Sequence, residues 1–412
     1  MKKFIFLITI FFSIIFLYSN EEYNIIFDQN FSEYVGAEDI LATNYLLEQG
    51  FDKFLNIKKG KKIFPIILRA AKLIFLYQPL AGLEVVIQHE VFGHGYRIRD
   101  ISSHFTKVTG YRFDLPFPYG NGGGATGYDF NENFTSFQEI AISIAGVESN
   151  AILANRIKMK WMESNKIDPL KSTLYIQSFQ DLTGYIYSMD DSPYFVNEGH
   201  DIESYLFWLN TTYYNKYLSK RDLKISALIN LLDPFTYFSI FDQFYYVFTG
   251  KELDLLMIKI KNLKYLPSFR LGLAPYGIEY FSEHFFSYKN RPIFAYLRYG
   301  KFLKSYFGIG IEMPKLLSNK NYDFGFKIDL FNQPKIYYKS SEITFDDVNV
   351  FYDEKDLSKK IYGVSASIFY QKKFKQDKAI YLQLGYKTKG FVPAEDLRNS
   401  IIARIGITIK TL

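Results

Sequence analysis

The spacing of apolar residues divides the chain into a helical part and a strand part. From Phe64 to Asn262, and before it in 37–56, most apolar positions recur with the period of an α-helix. The predicted helices are 37–56, 64–95, 136–163, 170–188, 201–218 and 223–249. The sequence therefore predicts a mainly helical first part, interrupted by an irregular stretch that contains "DLPFPYGNGGGATGYDF".

Near Tyr265 the apolar period changes to two. In "YDFGFKIDL", for example, five apolar residues share one face: Tyr322, Phe324, Phe326, Ile328 and Leu330. About eight such strands fit between 266 and 411, which predicts an antiparallel sheet. Alternation alone is compatible with a soluble sandwich or barrel. The strand lengths and the 19% aromatic content favour a small outer-membrane barrel, in which the apolar face meets lipid.

The N-terminus has the features of an export signal. Lys2 and Lys3 precede an apolar run from Phe4 to Leu17, and the polar string "YSNEE" follows. This order is typical of a secretory signal peptide, predicted here at 1–20. The run is short for a membrane span, which needs roughly 20 residues, although an uncleaved anchor is the alternative. We therefore expect an exported protein of the cell envelope, in the outer membrane or the periplasm.

Charge and cysteine content narrow the possible chemistry. The net charge of +6 is weak and spread along the chain, so it does not indicate a nucleic-acid partner. The chain contains no Cys, and any metal must therefore be held by histidines and carboxylates.

The string "QHEVFGHG" predicts a metal site on a distorted helix. His89 and His94 are five residues apart, which on a regular α-helix separates them by about 140°, too far to bind one ion. A single π-turn absorbs the extra residue, and Gly93 next to His94 makes such a turn easier. Glu90, directly after the first histidine, is expected to take a proton from a zinc-bound water.

The residues leave the third ligand open between several carboxylates. Glu148 lies in the apolar segment "EIAISIAGVESNAILA", where a buried carboxylate is costly unless it binds metal or a partner on a neighbouring helix. Asp233 precedes Pro234, where helix capping is natural, and the polarity of Asp242 could serve a helix contact. We predict Glu148 as the third ligand.

Two other histidine-containing segments are not predicted as sites. His104 and His200 are each expected to be surface or satisfied histidines. The string "NEGHDIESYLFWLN" indicates a helix start, where Asp201 or Glu203 is electrostatically favourable.

"HEVFGHG" resembles the zinc helix of dipeptidyl peptidase III, which carries the same extra residue between its histidines. In that family the third ligand is a Glu some fifty residues later, followed by two residues and an Ala. Glu148 follows His94 by 54 residues and lies in "ESNA". The resemblance covers only these motifs, and it implies His89, His94 and Glu148 as ligands.

A longer segment, from about 84 to 245, is similar to site-2 proteases. The strings "HEVFGH", "PYGNGGGA", "SIAGVESN" and "INLLDP" follow in that family's order. The chain departs from it in the longer first motif, in Val147 where the family has Pro, and in the missing Leu-Asp-Gly signature. This resemblance implies Asp233 or Asp242 as the third ligand.

Together the patterns predict an α+β protein with four parts. These are a signal peptide (1–20), a lead segment (21–62), a helical, zincin-like metallopeptidase domain (63–262) and an antiparallel β-barrel of about eight strands (263–412). The expected function is Zn²⁺-dependent peptide hydrolysis by a membrane-associated protein, with the extended edge around "GNGGGATGY" pairing with a peptide or protein substrate. The alternative is a non-enzymatic outer-membrane barrel with a helical plug and a degenerate metal site.

Overall fold

A computed structural model of the chain describes residues 22–57, 59–101, 107–129, 135–190, 199–214, 216–302, 304–337, 357–374 and 378–410. The predicted signal peptide and His104 lie outside these residues. Every structural statement below concerns the described part of the chain.

Seven helices contain most of the chain before residue 250. They are α1 (Glu33–Leu55), α2 (Ile63–Ile101), α3 (Ser136–Ser164), α4 (Pro169–Ser188), α5 (Asp201–Thr212), α6 (Lys220–Ala227) and α7 (Pro234–Thr249). A short 3₁₀ turn, Leu228–Leu232, joins the last two. The helical pattern in the sequence is thereby confirmed, except that the segment predicted as one helix at 223–249 is broken.

Capping side chains decide where several helices begin. Thr135 and Gln138 form a reciprocal capping box at the start of α3. Asp168 caps α4 through the backbone N–H of Lys171. Asp233 caps α7, and its side chain accepts from the N–H of Thr236. This cap, followed by a proline that cannot continue the preceding helix, explains the break in 223–249.

The strands form one large antiparallel sheet and two small pairs. They are β1 (Glu22–Phe27), β2 (Lys107–Phe113), β3 (Gly124–Asp129), β4 (Lys166–Ile167), β5 (Leu253–Asp254), β6 (Ile258–Ile260), β7 (Leu263–Ala274), β8 (Gly277–Tyr288), β9 (Arg291–Lys301), β10 (Ser305–Ser318), β11 (Tyr322–Pro334), β12 (Lys360–Phe374), β13 (Lys378–Lys387) and β14 (Ser400–Lys410). β2 pairs with β3, and β4 pairs with β5.

The large sheet has ten strands in the order β1-β14-β13-β12-β11-β10-β9-β8-β7-β6. The eight predicted strands after residue 262 are present as an antiparallel meander from β7 to β14. The prediction of a closed barrel is wrong, because β1 and β6 form two separate edges of the sheet. The physical reason is that closure needs a pairing between those edges, which alternation within single strands cannot specify.

β1 comes from the segment before the first helix and pairs with β14 near the end of the chain. In this register Ile26 lies opposite Gly406. A side chain at position 406 would place its Cβ about 2.2 Å from the carbonyl oxygen of Ile25, so glycine permits the close approach.

Helix α3 packs against the inner face of the sheet. Its buried Arg156 binds Glu312 of β10, and its buried Lys158 lies 3.0 Å from Glu283 of β8. Trp161, also buried, stacks on Phe235. The core therefore lies between the helices and a sheet whose inner face carries charged side chains.

Helix α2 contains two π-helical turns, at Leu73–Tyr77 and Gln88–His94. By length and composition it is the one described helix that could cross a membrane. Its second half is packed inside the protein, where Gln88, His89 and Arg97 are buried.

Candidate metal centre

The second π-turn of α2 brings His89 and His94 together. The N–H of Gly95 donates to the carbonyl of Glu90, five residues earlier, and the two imidazole rings are 4.9 Å apart. The predicted bulge is confirmed. Gly93 lies in this turn against the carbonyl of Ala145 on α3, where a Cβ would come within 2.7 Å.

Asp201, at the start of α5, completes a group that could hold a metal ion. The possible ligand atoms of His89, His94 and Asp201 all lie within 4.8 Å of one another. The Oδ2 atom of Asp201 is 2.9 Å from Nε2 of His89 and 3.2 Å from Nε2 of His94. Ligands about 2.0–2.2 Å from a tetrahedral ion are themselves about 3.3–3.6 Å apart, so a small outward shift of Asp201 would let these groups hold one metal ion.

Each histidine is anchored through its other ring nitrogen. Nδ1 of His94 lies 2.8 Å from the carbonyl of Ile142, which can only accept, so Nδ1 carries the proton and Nε2 faces Asp201. Nδ1 of His89 lies 3.2 Å from Asp181, whose carboxylate is held by Asn150 at 2.8 Å. Such contacts fix the tautomer and orientation of metal-binding histidines.

Two neighbours confine the ring of His89 between them. Tyr185 of α4 stacks on one face, with ring centroids 5.4 Å apart. On the α3 side, a Cβ at Gly146 would lie 2.2 Å from Nε2 of His89. Only glycine at position 146 leaves room for this ring position.

The imidazoles and the carboxylate of this group shift one another's pKa values. Burial opposes charge on Asp201, but His94 and His89 hold its pKa well below the usual range. Burial lowers the pKa of His89, yet its bonds to Asp181 and Asp201 outweigh this and raise that pKa well above the usual value. A metal cation would displace the protons that the carboxylates now attract to the imidazoles.

Glu90 lies beside this group in the wall of a cavity of about 490 Å³, which His94 and Asp201 also line. Its Oε2 accepts a hydrogen bond of 2.7 Å from the hydroxyl of Thr126 on β3. A Cβ at Gly124 would come within 2.8 Å of the Glu90 side chain, so the strand passes very close to it. The extended edge predicted near the metal is thus present as β3.

The structure does not bring Glu148 to the histidines. Its Oε1 accepts from the N–H of Ala394 at 3.1 Å, and its Oε2 lies 3.4 Å from Arg97. The reason is helix geometry: Gly146 and Asn150, four residues apart, face His89, so Glu148 between them points about 200° away from Gly146. The third position of the group belongs to Asp201 instead.

The two other carboxylates considered as ligands have structural contacts. Asp233 caps α7 and accepts from the hydroxyl of Tyr175 at 2.7 Å. Asp242 accepts from Ser172 at 2.7 Å and from the N–H of Leu253 at 3.0 Å, and burial raises its pKa to about 8. Asp233 is therefore a capping residue, and Asp242 supports a contact between helices.

Sequence reasoning missed Asp201, Asp181 and Asn150 as members of the site. The sequence pattern around Asp201 predicts only an electrostatic role at the start of a helix. His200, its neighbour, is the N-cap of α5. The position of Asn150 was recognisable from the sequence, because it lies one helical turn after Gly146 in "SIAGVESN" and therefore on the same face of the helix.

Fold and site together define an α+β protein with a buried His-His-Asp group that could hold a metal ion. Comparison with protein-family models, curated proteins and solved structures finds no match to the chain.

Proposed function

We propose that the protein is a metal-dependent peptide hydrolase with Glu90 as its general base. One observation carries this proposal: two imidazole nitrogens and one carboxylate converge next to a cavity that Glu90, His94 and Asp201 line. The same arrangement of a base next to a metal-binding group is what metal-assisted hydrolysis requires.

We propose Zn²⁺ as the metal, held by His89, His94 and Asp201. Two nitrogens and one oxygen are a common donor set for catalytic zinc, which keeps a fourth position open. Non-haem iron(II) uses a similar set, so the metal has to be identified by elemental analysis. When bound, the ion would polarise the scissile carbonyl and lower the pKa of the attacking water.

Glu90 would accept a proton from the attacking water and then pass it to the leaving amine. The hydroxyl of Thr126 donates to Oε2 of Glu90 and so fixes the carboxylate on the cavity side of α2. His89 and His94 would present Nε2 to the ion, because Asp181 and Ile142 hold the opposite ring nitrogens.

The proposed substrate is a polypeptide bound in extended form along β3. In the described chain β3 pairs only with β2, and Gly124, Ala125 and Thr126 line the cavity. A free strand edge can add a peptide strand through backbone hydrogen bonds, while the aromatic lining from Phe207 and Trp208 would receive side chains. The N-terminal sequence supports export, so the substrate would be in the cell envelope.

The competing possibility is a non-enzymatic protein in which the group is only an ionic cluster. The contact of 2.9 Å between Asp201 and His89 would satisfy both side chains without any ion. Metal content and catalysis therefore have to be measured on the same preparation.

The test compares Glu90→Gln with Glu252→Gln, a control at an exposed carboxylate that pairs with Lys166 on the surface. Metal is quantified by plasma mass spectrometry, and hydrolysis is followed with unfolded casein. We expect one equivalent of zinc in both variants and at least a 100-fold loss of hydrolysis in Glu90→Gln alone, since proton transfer contributes about 10²–10⁴. The proposal would be refuted if the purified protein contained no metal and bound none when metal was added. It would also be refuted if Glu90→Gln retained full activity.

A further inference from the structure

The polarity of the large sheet is opposite to that of a sheet in a water-soluble protein. Charged and polar side chains fill its inner face, among them the buried Arg298, Glu312 and Asp329. On the outer face Ile309 is 51% exposed and Ile405 is 59% exposed. A sheet with one face in water normally places the apolar side chains inside.

The charged side chains of the inner face are paired with one another and with charged groups nearby. Arg298 binds Glu279, and Arg404 lies 3.0 Å from Glu395. The helices that pack on the inner face cover these ion pairs, so the paired charges are shielded from solvent. The apolar side chains lie on the opposite, outer face.

The apolar side chains of the outer face form one continuous surface from β9 to β14. Direct cross-strand pairs connect neighbouring strands: Leu297 with Ile309, Ile311 with Ile328, Phe326 with Ile368, Ile368 with Leu384, and Leu382 with Ile405. Across these described strands the outward positions between the exposed end lysines carry no Asp, Glu, Lys or Arg. Apolar patches of this extent mark interaction surfaces.

Aromatic residues border this surface and aliphatic residues occupy its middle. Tyr299 and Phe307 face each other near one end of the sheet. Tyr322 and Tyr370 lie near the other end, with ring centroids 6.4 Å apart. Two aromatic borders around an aliphatic band are typical of protein surfaces in an outer membrane.

The dimension of the band and the charges at its ends agree with a bilayer. On β12 the outward face from Tyr362 to Tyr370 spans nine residues of the strand. A β-strand that crosses a bilayer at a tilt of about 45° needs about 9–11 residues. Exposed lysines stand beyond the band at both ends of the strands: Lys301, Lys360, Lys372 and Lys378. Their charges complement lipid phosphates.

We propose that the outer face of β9–β14 is embedded in a lipid bilayer, with the end lysines at the two layers of phosphate headgroups. A second copy of the chain would cover a face this wide only in part, whereas lipid covers all of it. The inference rests on the sheet alone and does not depend on the proposed hydrolysis.

The natural absence of cysteine allows a direct test with single introduced cysteines. Ile309→Cys and Ile405→Cys probe the middle of the band, and Lys372→Cys is the matched control at its end. Each full-length variant is spin-labelled and reconstituted into vesicles of phosphatidylethanolamine and phosphatidylglycerol. Oxygen, which partitions into lipid, and a water-soluble nickel chelate then serve as relaxation agents.

We expect the labels at 309 and 405 to be relaxed at least 5-fold more by oxygen than by the nickel chelate, and the label at 372 to show the reverse order. Nickel access at 309 and 405 would show that water covers the face and would overturn the proposal. Shielding from both agents together with spin–spin broadening would assign the face to a second copy and would equally overturn it.

Flotation of the unlabelled chain provides a test that needs no substitution. The protein should float with the same vesicles and stay with them after carbonate washing at alkaline pH, and Glu90→Gln should behave identically. A chain that stays in the soluble fraction without detergent would overturn the proposal while leaving the hydrolase proposal intact.

Discussion

Helix α2 contributes to two buried clusters of ionisable side chains that differ in what balances their charge. In the first, His89 and His94 meet Asp201 beside an open cavity. In the second, a few residues further along α2, Arg97 meets Asp100 of the same helix and Glu148 of α3. We call them the histidine cluster and the arginine cluster.

The comparison shows that a buried carboxylate in an apolar helix does not by itself indicate a metal ligand. Arg97 is fully buried and permanently charged, so it balances Glu148 without any ion. The histidine cluster has no such permanent cation, and its ligand atoms converge where a small ion could enter from the cavity. Convergence of donor atoms next to an opening is therefore the better criterion.

The largest effect that separates the clusters concerns metal content. Asp201→Asn should remove stoichiometric metal, because the amide gives up the negative charge at the convergence point. Glu148→Gln should keep it, because Glu148 lies on the opposite side of α3. Plasma mass spectrometry on gel-filtered protein measures both, with Asp254→Asn as a control at an exposed carboxylate. Metal loss in Glu148→Gln but not in Asp201→Asn would restore Glu148 as the ligand.

Replacement of Arg97, the buried cation of the arginine cluster, should lower the stability of the fold and leave metal content unchanged. Arg97→Met removes the cation that Glu148, Asp100 and Glu33 share, and breaking a buried pair in this way costs about 3–5 kcal/mol. The loss is measured by urea denaturation in detergent, followed by tryptophan fluorescence. Folded protein should still bind metal, and an Arg97→Met variant as stable as the wild type would show that the arginine cluster contributes nothing.

This loss should also depend on pH. Burial raises the pKa of Glu148, and Arg97 partly opposes that rise. Without Arg97 the folded-state pKa should rise further, while the unfolded-state pKa stays near 4.3. Between these values the unfolded chain binds fewer protons, so stability falls as pH rises. The variant's deficit should be larger at pH 8 than at pH 5, and an equal deficit would contradict this electrostatic account.

The smallest effect concerns the support of His89. Asp181→Asn keeps the shape of the side chain but weakens the acceptor at Nδ1 of His89. Loss of such a contact typically lowers metal affinity 10–100-fold, which competition with a chelator can measure. We expect normal stability and the same 1:1 stoichiometry at saturating zinc. Unchanged affinity would mean that Asn150 and Tyr185 alone position the ring.

The predictions from the sequence were correct for features that depend on interactions between residues close together in the chain. The π-turn followed from the five-residue spacing and Gly93, and the capping role of Asp233 followed from Pro234. The strand meander followed from the alternation of apolar residues. Each of these features depends on residues within one or two turns or on one strand.

The sequence by itself therefore determined most of the helices, the strands after residue 262, the bulged His-Glu helix and the position of Glu90 on it. Only the tertiary structure decided that Asp201, more than a hundred residues away, meets the histidines and that Glu148 meets Arg97. It also decided that β1 extends the sheet, which stays open. The reason is that these outcomes depend on which helix faces pack together and which strand edges meet, and local residue patterns do not encode either choice.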